Sequence, residues 1–365
     1  MTRAEGDNPH DLPLIDHPDR LTPEWLSGVL ANNEINASVT GFRSSPVGTG
    51  QMADNYRLEL DYQDKPEGAP DSLVVKVCST DPTSRASGAA GGYVTEVNFY
   101  RDLASRLAVR TPHCYHADIS SANDVFVLVM EDLAPAEQGD QIRGCSPDEA
   151  RLALQNLAGL HASSWCDAKL DGYSWLSRVT PEVAALFTNI LMPATEGFIE
   201  RYKARLSDED ASVLRHFANN AERWLTGRGD RFALVHGDYR LDNLLFGTEA
   251  GGAPVAAVDW QTVTLGHAGR DTAYFLGNSL VIEDRIKYEQ DLILGYHEAL
   301  CAGGVADYTF AECFDDYRYG HFQGPLVTVL GAMAVIQTDR GDEMFMAMCS
   351  RACQAIRDLE SDQLI

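Results

Sequence analysis

The stretch that decides the fold runs Leu234-Val-His236-Gly-Asp238-Tyr-Arg240-Leu-Asp-Asn243-Leu-Leu-Phe246, then a Gly-rich turn at 247–252, then Val255-Ala-Ala-Val-Asp259-Trp-Gln261. Apolar runs flank a short polar segment, and a third apolar run follows the turn, so the simplest reading is strand, loop, strand, turn, strand. Asp238 and Asn243 stand five positions apart on the loop, and Asp259 ends the third run. A loop of this length can aim Asp238 at a substrate hydroxyl and Asn243 at a metal. Asp259, at its strand end, reaches that metal from the other side. This is the layout of phosphoryl transfer, in which positioning and charge neutralisation do most of the catalysis.

The pair of motifs, His236-Gly-Asp238-Tyr-Arg-Leu-Asp-Asn243 with Val258-Asp259-Trp260-Gln261, resembles the aminoglycoside phosphotransferase and choline-kinase-like branch of the kinase fold, closest to its ecdysteroid-kinase-like members. The resemblance covers roughly residues 42–280. It implies an α+β, bilobal protein-kinase-like fold: an N-terminal antiparallel sheet with one main helix, and a larger, mainly helical C-terminal lobe. The expected division is a mobile tail at 1–20, a nucleotide-covering lobe at 21–130, and a lobe at 131–365 carrying catalytic loop, metal site and acceptor region. ATP and Mg2+ are the implied cofactors.

Several residues outside the central stretch take meaning from this. Val47-Gly48-Thr49-Gly50-Gln51-Met52-Ala53 lies between two β-forming segments, 37–43 and 56–62. Gly48, Gly50 and Ala53 also fit a dinucleotide fingerprint. The period-two segment that follows is a strand, however, and a dinucleotide turn needs a helix N-terminus to hold the pyrophosphate. A nucleotide-covering hairpin, with Gly48, Thr49, Gly50 and Gln51 as cofactor-binding residues, is therefore favoured. Ser72-Leu-Val-Val-Lys76-Val-Cys78 reads as a strand with Lys76 on the face opposite Leu73, Val75 and Val77. A lysine so placed needs a partner. Glu96 falls on the apolar stripe of a helix predicted over 93–107, in phase with Phe99, Tyr100, Leu103 and Leu107. The resemblance makes Lys76 the phosphate-contacting lysine and Glu96 the glutamate that orients it. It also makes Met130-Glu131-Asp132-Leu133 the linker whose backbone, at Glu131 and Leu133, takes the adenine.

Further along, Ser146-Pro-Asp-Glu149 is a capping box, opening a helix that ends near His161, read as a packed structural histidine. Three helices are predicted at 182–191, 194–206 and 207–226, and four more at 283–301, 307–319, 322–338 and 343–359. Asp271 resembles the buried aspartate that steadies the catalytic loop. Arg240 stands where protein kinases place a lysine near the transferred phosphate, which makes it catalytic with Asp238, while Asn243 and Asp259 hold the metal. Asp259 is followed by Trp-Gln where protein kinases have Phe-Gly, and no Ala-Pro-Glu segment follows, which disfavours protein substrates.

Composition sets the outer bounds. The chain has 365 residues and a formal net charge of −25. That charge argues against nucleic acid as a partner, because the dominant phosphate-neutralising term would be repulsive. Eight scattered cysteines form no paired framework and read as reduced thiols. The polar N-terminal stretch lacks a signal-peptide core, and no window carries the roughly 18 apolar residues a membrane span needs, so a cytoplasmic location is expected. The apolar run at 322–336, with Met344, Met346 and Met348, is read either as core packing or as an apolar acceptor pocket. The acceptor is a small molecule phosphorylated on a hydroxyl. A largely apolar alcohol and an aminoglycoside or choline-like amino alcohol are the two acceptor alternatives, and a nucleotide-binding pseudokinase or adaptor is the alternative of another class.

Overall fold

The computed structural model describes residues 12–48 and 52–365. Two compact units divide the chain: one of residues 1–105 and 112–133, the other of 106–111 and 134–365.

In the first unit a helix, α1 (Pro23–Ala31), starts where the sequence signals it, with the Thr22 hydroxyl accepting the Trp25 N–H and Pro23 at the first helical position. Five antiparallel strands follow: β1 (Val39–Pro46), β2 (Ala53–Tyr62), β3 (Ser72–Cys78), β4 (Cys114–Ile119) and β5 (Phe126–Glu131), in the order β1-β2-β3-β5-β4. Leu73, Val75 and Val77 of β3 join Val127, Val129 and the α1 residues Trp25, Leu26, Val29 and Leu30 in one core. The alternation of strand side chains sends Lys76 to the other face, toward the segment containing α2 (Pro82–Ser87) and α3 (Tyr93–Asn98). The predicted single helix over 93–107 is α3 continued by a widened turn at Phe99–Leu103 and a tight one at Ala104–Arg106. The segment 12–20, expected as mobile tail, is packed: Ile15 is buried in the sheet's core, and the Trp25 indole N–H donates to the Pro13 carbonyl at 2.9 Å.

The second unit is mostly helical. Its strands are β6 (Glu137–Gln138), β7 (Ala233–Val235), β8 (Leu244–Thr248), β9 (Gly251–Ala257) and β10 (Thr264–Gly266), forming β6-β8-β9 and β7-β10 sheets. Its helices are α4 (Pro147–Ser164), α5 (Pro181–Tyr202), α6 (Asp208–Thr226), α7 (Gly269–Ser279), α8 (Ile282–Ala302), α9 (Phe310–Gly320), α10 (Gln323–Ala334) and α11 (Asp339–Asp358). The capping box on α4 is present in full.

One correction concerns α5, which is a single helix where two were predicted. Pro193 removes a backbone donor and usually ends a helix, yet the helix runs through it. The buried side chains Ala184, Leu191, Thr195, Phe198 and Tyr202 keep one helical stripe across the proline. Leu191, Phe198 and Tyr202 pack with Leu214, Phe217 and Ala221 of α6. Tertiary burial outweighs the local break. The apolar C-terminal run resolves in favour of packing, since Leu326, Val329, Ala332, Met344, Met346 and Met348 all lie in this same core.

Candidate active site

The loop between β7 and β8 is held from below by one carboxylate. Asp271, in the first turn of α7, accepts the His236 N–H at 2.6 Å and the Gly237 N–H at 2.9 Å. Its Oδ2 also lies 3.3 Å from His161 Nε2, whose Nδ1 is 2.6 Å from the Tyr296 hydroxyl. Burial alone would raise the Asp271 pKa, but the hydrogen bond and charge of His161 and the backbone donors hold it below the ordinary carboxylate value. Gly237 has φ of 82°, and a Cβ there would sit 2.8 Å from the Thr262 carbonyl oxygen, so the sharp turn into Asp238 admits only glycine.

His236 is a brace. Its Nδ1 accepts the Asp238 N–H at 3.3 Å and its Nε2 lies 3.1 Å from the Val258 carbonyl, which places the imidazole hydrogen on Nε2 and stitches the loop to the β9 exit. The Trp260 ring sits against it, with centroids 4.6 Å apart. His161 is likewise structural, as its sequence context suggested.

Asp238 is the focus of the loop. Its Oδ1 accepts the Tyr274 hydroxyl at 2.7 Å, and its Oδ2 accepts the Asn243 amide at 2.9 Å and the Arg240 Nε at 3.2 Å. Burial first, and the Asp238 carboxylate second, push the Tyr274 phenol far above its usual pKa, so it stays a donor. Arg240 is shared with a second carboxylate, its Nη1 donating to Asp242 Oδ2 at 2.7 Å. Burial works against its charge, but Asp238 and then Tyr274 and Asp242 more than offset it, leaving the guanidinium pKa raised.

The metal question turns on Asn243. Its amide nitrogen donates to both the Asp238 carbonyl and the Asp238 carboxylate, each at 2.9 Å. That leaves Oδ1, a hard oxygen of the kind magnesium takes. The Val258 N–H donates to the Asn243 carbonyl at 3.0 Å, tying the segment just before Asp259 to Asn243. Asp259 itself has φ of 66°, a left-handed conformation that costs an ordinary residue roughly 1–3 kcal/mol and clusters at functional sites. Among the described residues no three of His, Cys, Asp and Glu converge as a metal cage. The residues fit the expected ion.

In the first unit, the Lys76 ammonium meets both Glu96 oxygens, at 2.8 and 2.7 Å, and both side chains are buried. Gly48 is left-handed, with φ of 79°; Thr49, Gly50 and Gln51 lie outside the described residues. The Glu131 N–H donates to the His113 carbonyl at 2.8 Å. Asp132 between them is fixed by Arg57 Nε and the Ser72 hydroxyl, both at 2.7 Å.

Sequence reasoning did not single out Tyr274, Asp242 or Gln323. Tyr274 follows Asp271 by three residues on α7, so helical phase could have placed it on the loop-facing side. Asp242 is inside the quoted motif. Gln323, whose amide donates to the Gly237 carbonyl at 2.7 Å, comes from a distant helix and leaves no local trace.

The model of the ecdysteroid kinase-like family matches residues 48–303, which take in the catalytic loop, Asp259, the Lys76–Glu96 pair and Tyr274 but not Gln323. The chain belongs to the ecdysteroid kinase-like family. It is thus a member of a family of small-molecule kinases. Among solved structures, the GDP complex of wild-type aminoglycoside 2'-phosphotransferase-IIIa is similar with a TM-score of 0.52 and 15% identity, over 92% of this chain and 99% of that one; at that identity the likeness concerns the fold. Acyl-CoA dehydrogenase family member 11 of Pongo abelii is 26% identical over 262 residues, and that of Gallus gallus is 41% identical over 177. The matches cover 69% and 46% of this chain but only 29% and 20% of those proteins. This chain spans less than a third of those relatives' length, so the similarity is to one segment of each. As an ecdysteroid kinase-like protein it has no helix among the described residues long and apolar enough to cross a membrane, and all eight cysteines are free thiols.

Proposed function

We propose that this chain transfers the γ-phosphoryl group of ATP to a hydroxyl of a small, largely apolar acceptor. The observation that carries the reading is Asp238, a carboxylate fixed by Tyr274, Asn243 and Arg240 on a loop that Asp271 anchors by its backbone. Asp238 orients the acceptor hydroxyl and takes its proton as the new P–O bond forms. Arg240, already positioned by two carboxylates, neutralises charge near the transferred group. Lys76, oriented by Glu96, contacts the α and β phosphates. Gly48, Thr49, Gly50 and Gln51 cover the nucleotide, and the backbone at Glu131 and Leu133 takes its base. Asn243 and Asp259 would hold magnesium, which when bound supplies neutralisation of the phosphate charge.

The apolar character of the acceptor has a narrower support than the sequence promised, because most of the C-terminal apolar run is core. What remains exposed is Met333 and Ile336, at 36% and 65% of their free surface. They lie just before Arg340, whose guanidinium is 3.5 Å from Asp242 of the catalytic loop, and Arg240 Nη1 touches Met344 sulfur at 3.2 Å. The Met344 contact and the position of Ile336 four residues before Arg340 support an apolar acceptor, since small-molecule sites are mostly apolar.

A screen of lipophilic alcohols, sugars, choline-like amines and aminoglycosides, read as ADP release, tests this. Turnover of lipophilic alcohols that Asp238→Asn abolishes is the expected result. Turnover of aminoglycosides alone would overturn the acceptor class, and absence of Mg-ATP binding would overturn the kinase reading itself.

A further inference from the structure

A second chemical feature of the helical unit lies outside the catalytic loop. The end of α6, the loop to β7, β10 and the start of α7 enclose a cavity of about 230 Å3 lined by Arg178, Trp224, Arg228, Phe232, His267 and Arg270 among others. Its three guanidinium groups are laid on aromatic rings: Arg178 is 3.5 Å from the Phe232 centroid, Arg228 4.6 Å from Tyr319, and Arg270 5.4 Å from Trp224. Such contacts orient a guanidinium without neutralising it.

The three arginines differ in what balances their charge. Arg178 is paired with Asp171 through Nε and Nη2, each at 2.9 Å, and Arg228 with Asp315 and Asp316. Among the described residues Arg270 has no carboxylate within ion-pair distance, and its only hydrogen bond among them is from Nε to Gln323 Oε1 at 2.9 Å. The nearest carboxylate in sequence, Asp271, is spent on the His236 and Gly237 N–H groups. Beside Arg270, His267 is 7% exposed; its Nε2 lies 3.0 Å from Asp316, and among the described residues neither ring nitrogen makes a well-aligned hydrogen bond. Burial pulls the Arg270 pKa below its ordinary value, against the opposing charges of Asp271 and then Tyr319, which raise it.

Leaving a guanidinium fork uncompensated in a cavity is costly, and the fork matches two oxygens of a carboxylate or phosphate. Val179, Leu225 and Leu265 complete the walls and suit an apolar body. We propose that this cavity is a binding site for a small organic oxyanion, a carboxylate or phosphate monoester on an apolar group, with Arg270 as its principal contact and Arg178 at the same cavity. The site communicates with the catalytic loop through two hydrogen bonds: Arg270 to Gln323, and the Gln323 amide to the Gly237 carbonyl at 2.7 Å.

Calorimetric titration of the full chain with benzoate and with phenyl phosphate tests the site, the two arms separating a carboxylate from a phosphate head group. Saturable binding of at least one, weakened about tenfold or more by Arg270→Gln, is expected for a lost charge-assisted pair. Folding of the variant is checked by circular dichroism, and Arg178→Gln serves as the second variant if Arg270→Gln does not fold. No saturable binding of either probe up to about 10 mM, a level at which an interaction weaker than about 3 kcal/mol disappears, would overturn the proposal. Binding that the variants leave unchanged would overturn it equally.

Discussion

The Tyr274 hydroxyl donates to Asp238 Oδ1 over 2.7 Å, so the proposed base is held by a buried phenol from α7 as well as by its own loop. Asp238 and the anchor Asp271 are thereby addressed by the same helix, three residues apart. Tyr274→Phe keeps the ring and deletes the donor. A hydrogen bond to a charged group is worth roughly 1.5–3 kcal/mol, so kcat is expected to fall by about tenfold to a hundredfold, with nucleotide affinity unchanged. Stopped-time ADP assays paired with nucleotide titration decide it. A full rate in Tyr274→Phe would mean the phenol only packs.

Asp259 combines a proposed metal-holding role with a left-handed backbone, φ 66°. Both Asp259→Ala and Asp259→Gly should lose productive Mg-ATP binding, whereas Asp238→Asn should retain it and lose kcat. The two Asp259 variants separate in stability: alanine in this region pays about 1–2 kcal/mol that glycine does not, partly cancelled by glycine's greater unfolded-state entropy. Thermal melts should therefore rank Asp259→Gly at or above Asp259→Ala. A clear ranking the other way would show that the backbone is not under strain there.

How far the chain could be read without coordinates follows from where each signal resides. The capping box at Ser146–Glu149, the β3 alternation that isolates Lys76, and the spacing of Asp238, Asn243 and Asp259 are local patterns, and each element forms as its pattern says. The path of α5 through Pro193 was not legible, because the burial of Leu191, Phe198 and Tyr202 against α6 is a tertiary term that no local rule contains. The same is true of Ile15, which looks like part of a polar tail until α1 and the sheet offer it a core. The positive φ of Asp259 and the Gln323 amide under Gly237 are products of chain geometry and of a helix some 86 positions away.

The Lys76–Glu96 pair is buried on both sides, at 6% and 1% side-chain exposure. Lys76→Ala strands Glu96 without its ammonium and should cost about 3–5 kcal/mol, whereas replacing both members by neutral groups leaves no uncompensated charge and should cost less. Urea unfolding of Lys76→Ala and of the Lys76→Met, Glu96→Gln double variant makes the comparison. A double variant as unstable as the single one would mean that packing, rather than charge, dominates at this site.

Asp316 supplies a pH test. Burial raises its pKa, but His267, Tyr308 and Arg228 together bring it down to about 2. A depressed carboxylate contributes stability above its unfolded pKa of about 3.9 and loses it as pH falls toward the folded value. The contribution, about 2–3 kcal/mol by linkage, should be complete at neutral pH and vanish between roughly pH 4 and pH 2. Asp316→Asn should be less stable than the parent at pH 7, with the gap closing across that window. A gap that stays constant down to pH 2 would assign Asp316 a neutral packing role.

The acceptor prediction rests on two exposed isoleucines that differ in place. Ile336, 65% exposed, precedes Arg340, which approaches Asp242 of the catalytic loop at 3.5 Å; Ile286, 55% exposed, sits on α8. Both can take a lysine at little cost to folding, because an exposed side chain away from special features is usually worth less than about 0.5 kcal/mol. If the acceptor covers Ile336, the lost burial is worth roughly 1.5–3 kcal/mol, and Ile336→Lys should raise acceptor KM by about tenfold or more while the nucleotide KM holds. Ile286→Lys should leave both constants alone. The comparison uses the acceptor that gives the fastest ADP release, so it works for an amine as well as for a lipophilic alcohol. Equal constants in the two variants would remove Ile336 from the acceptor site and, with it, the structural support for an apolar acceptor, leaving the phosphoryl-transfer machinery around Asp238 untouched.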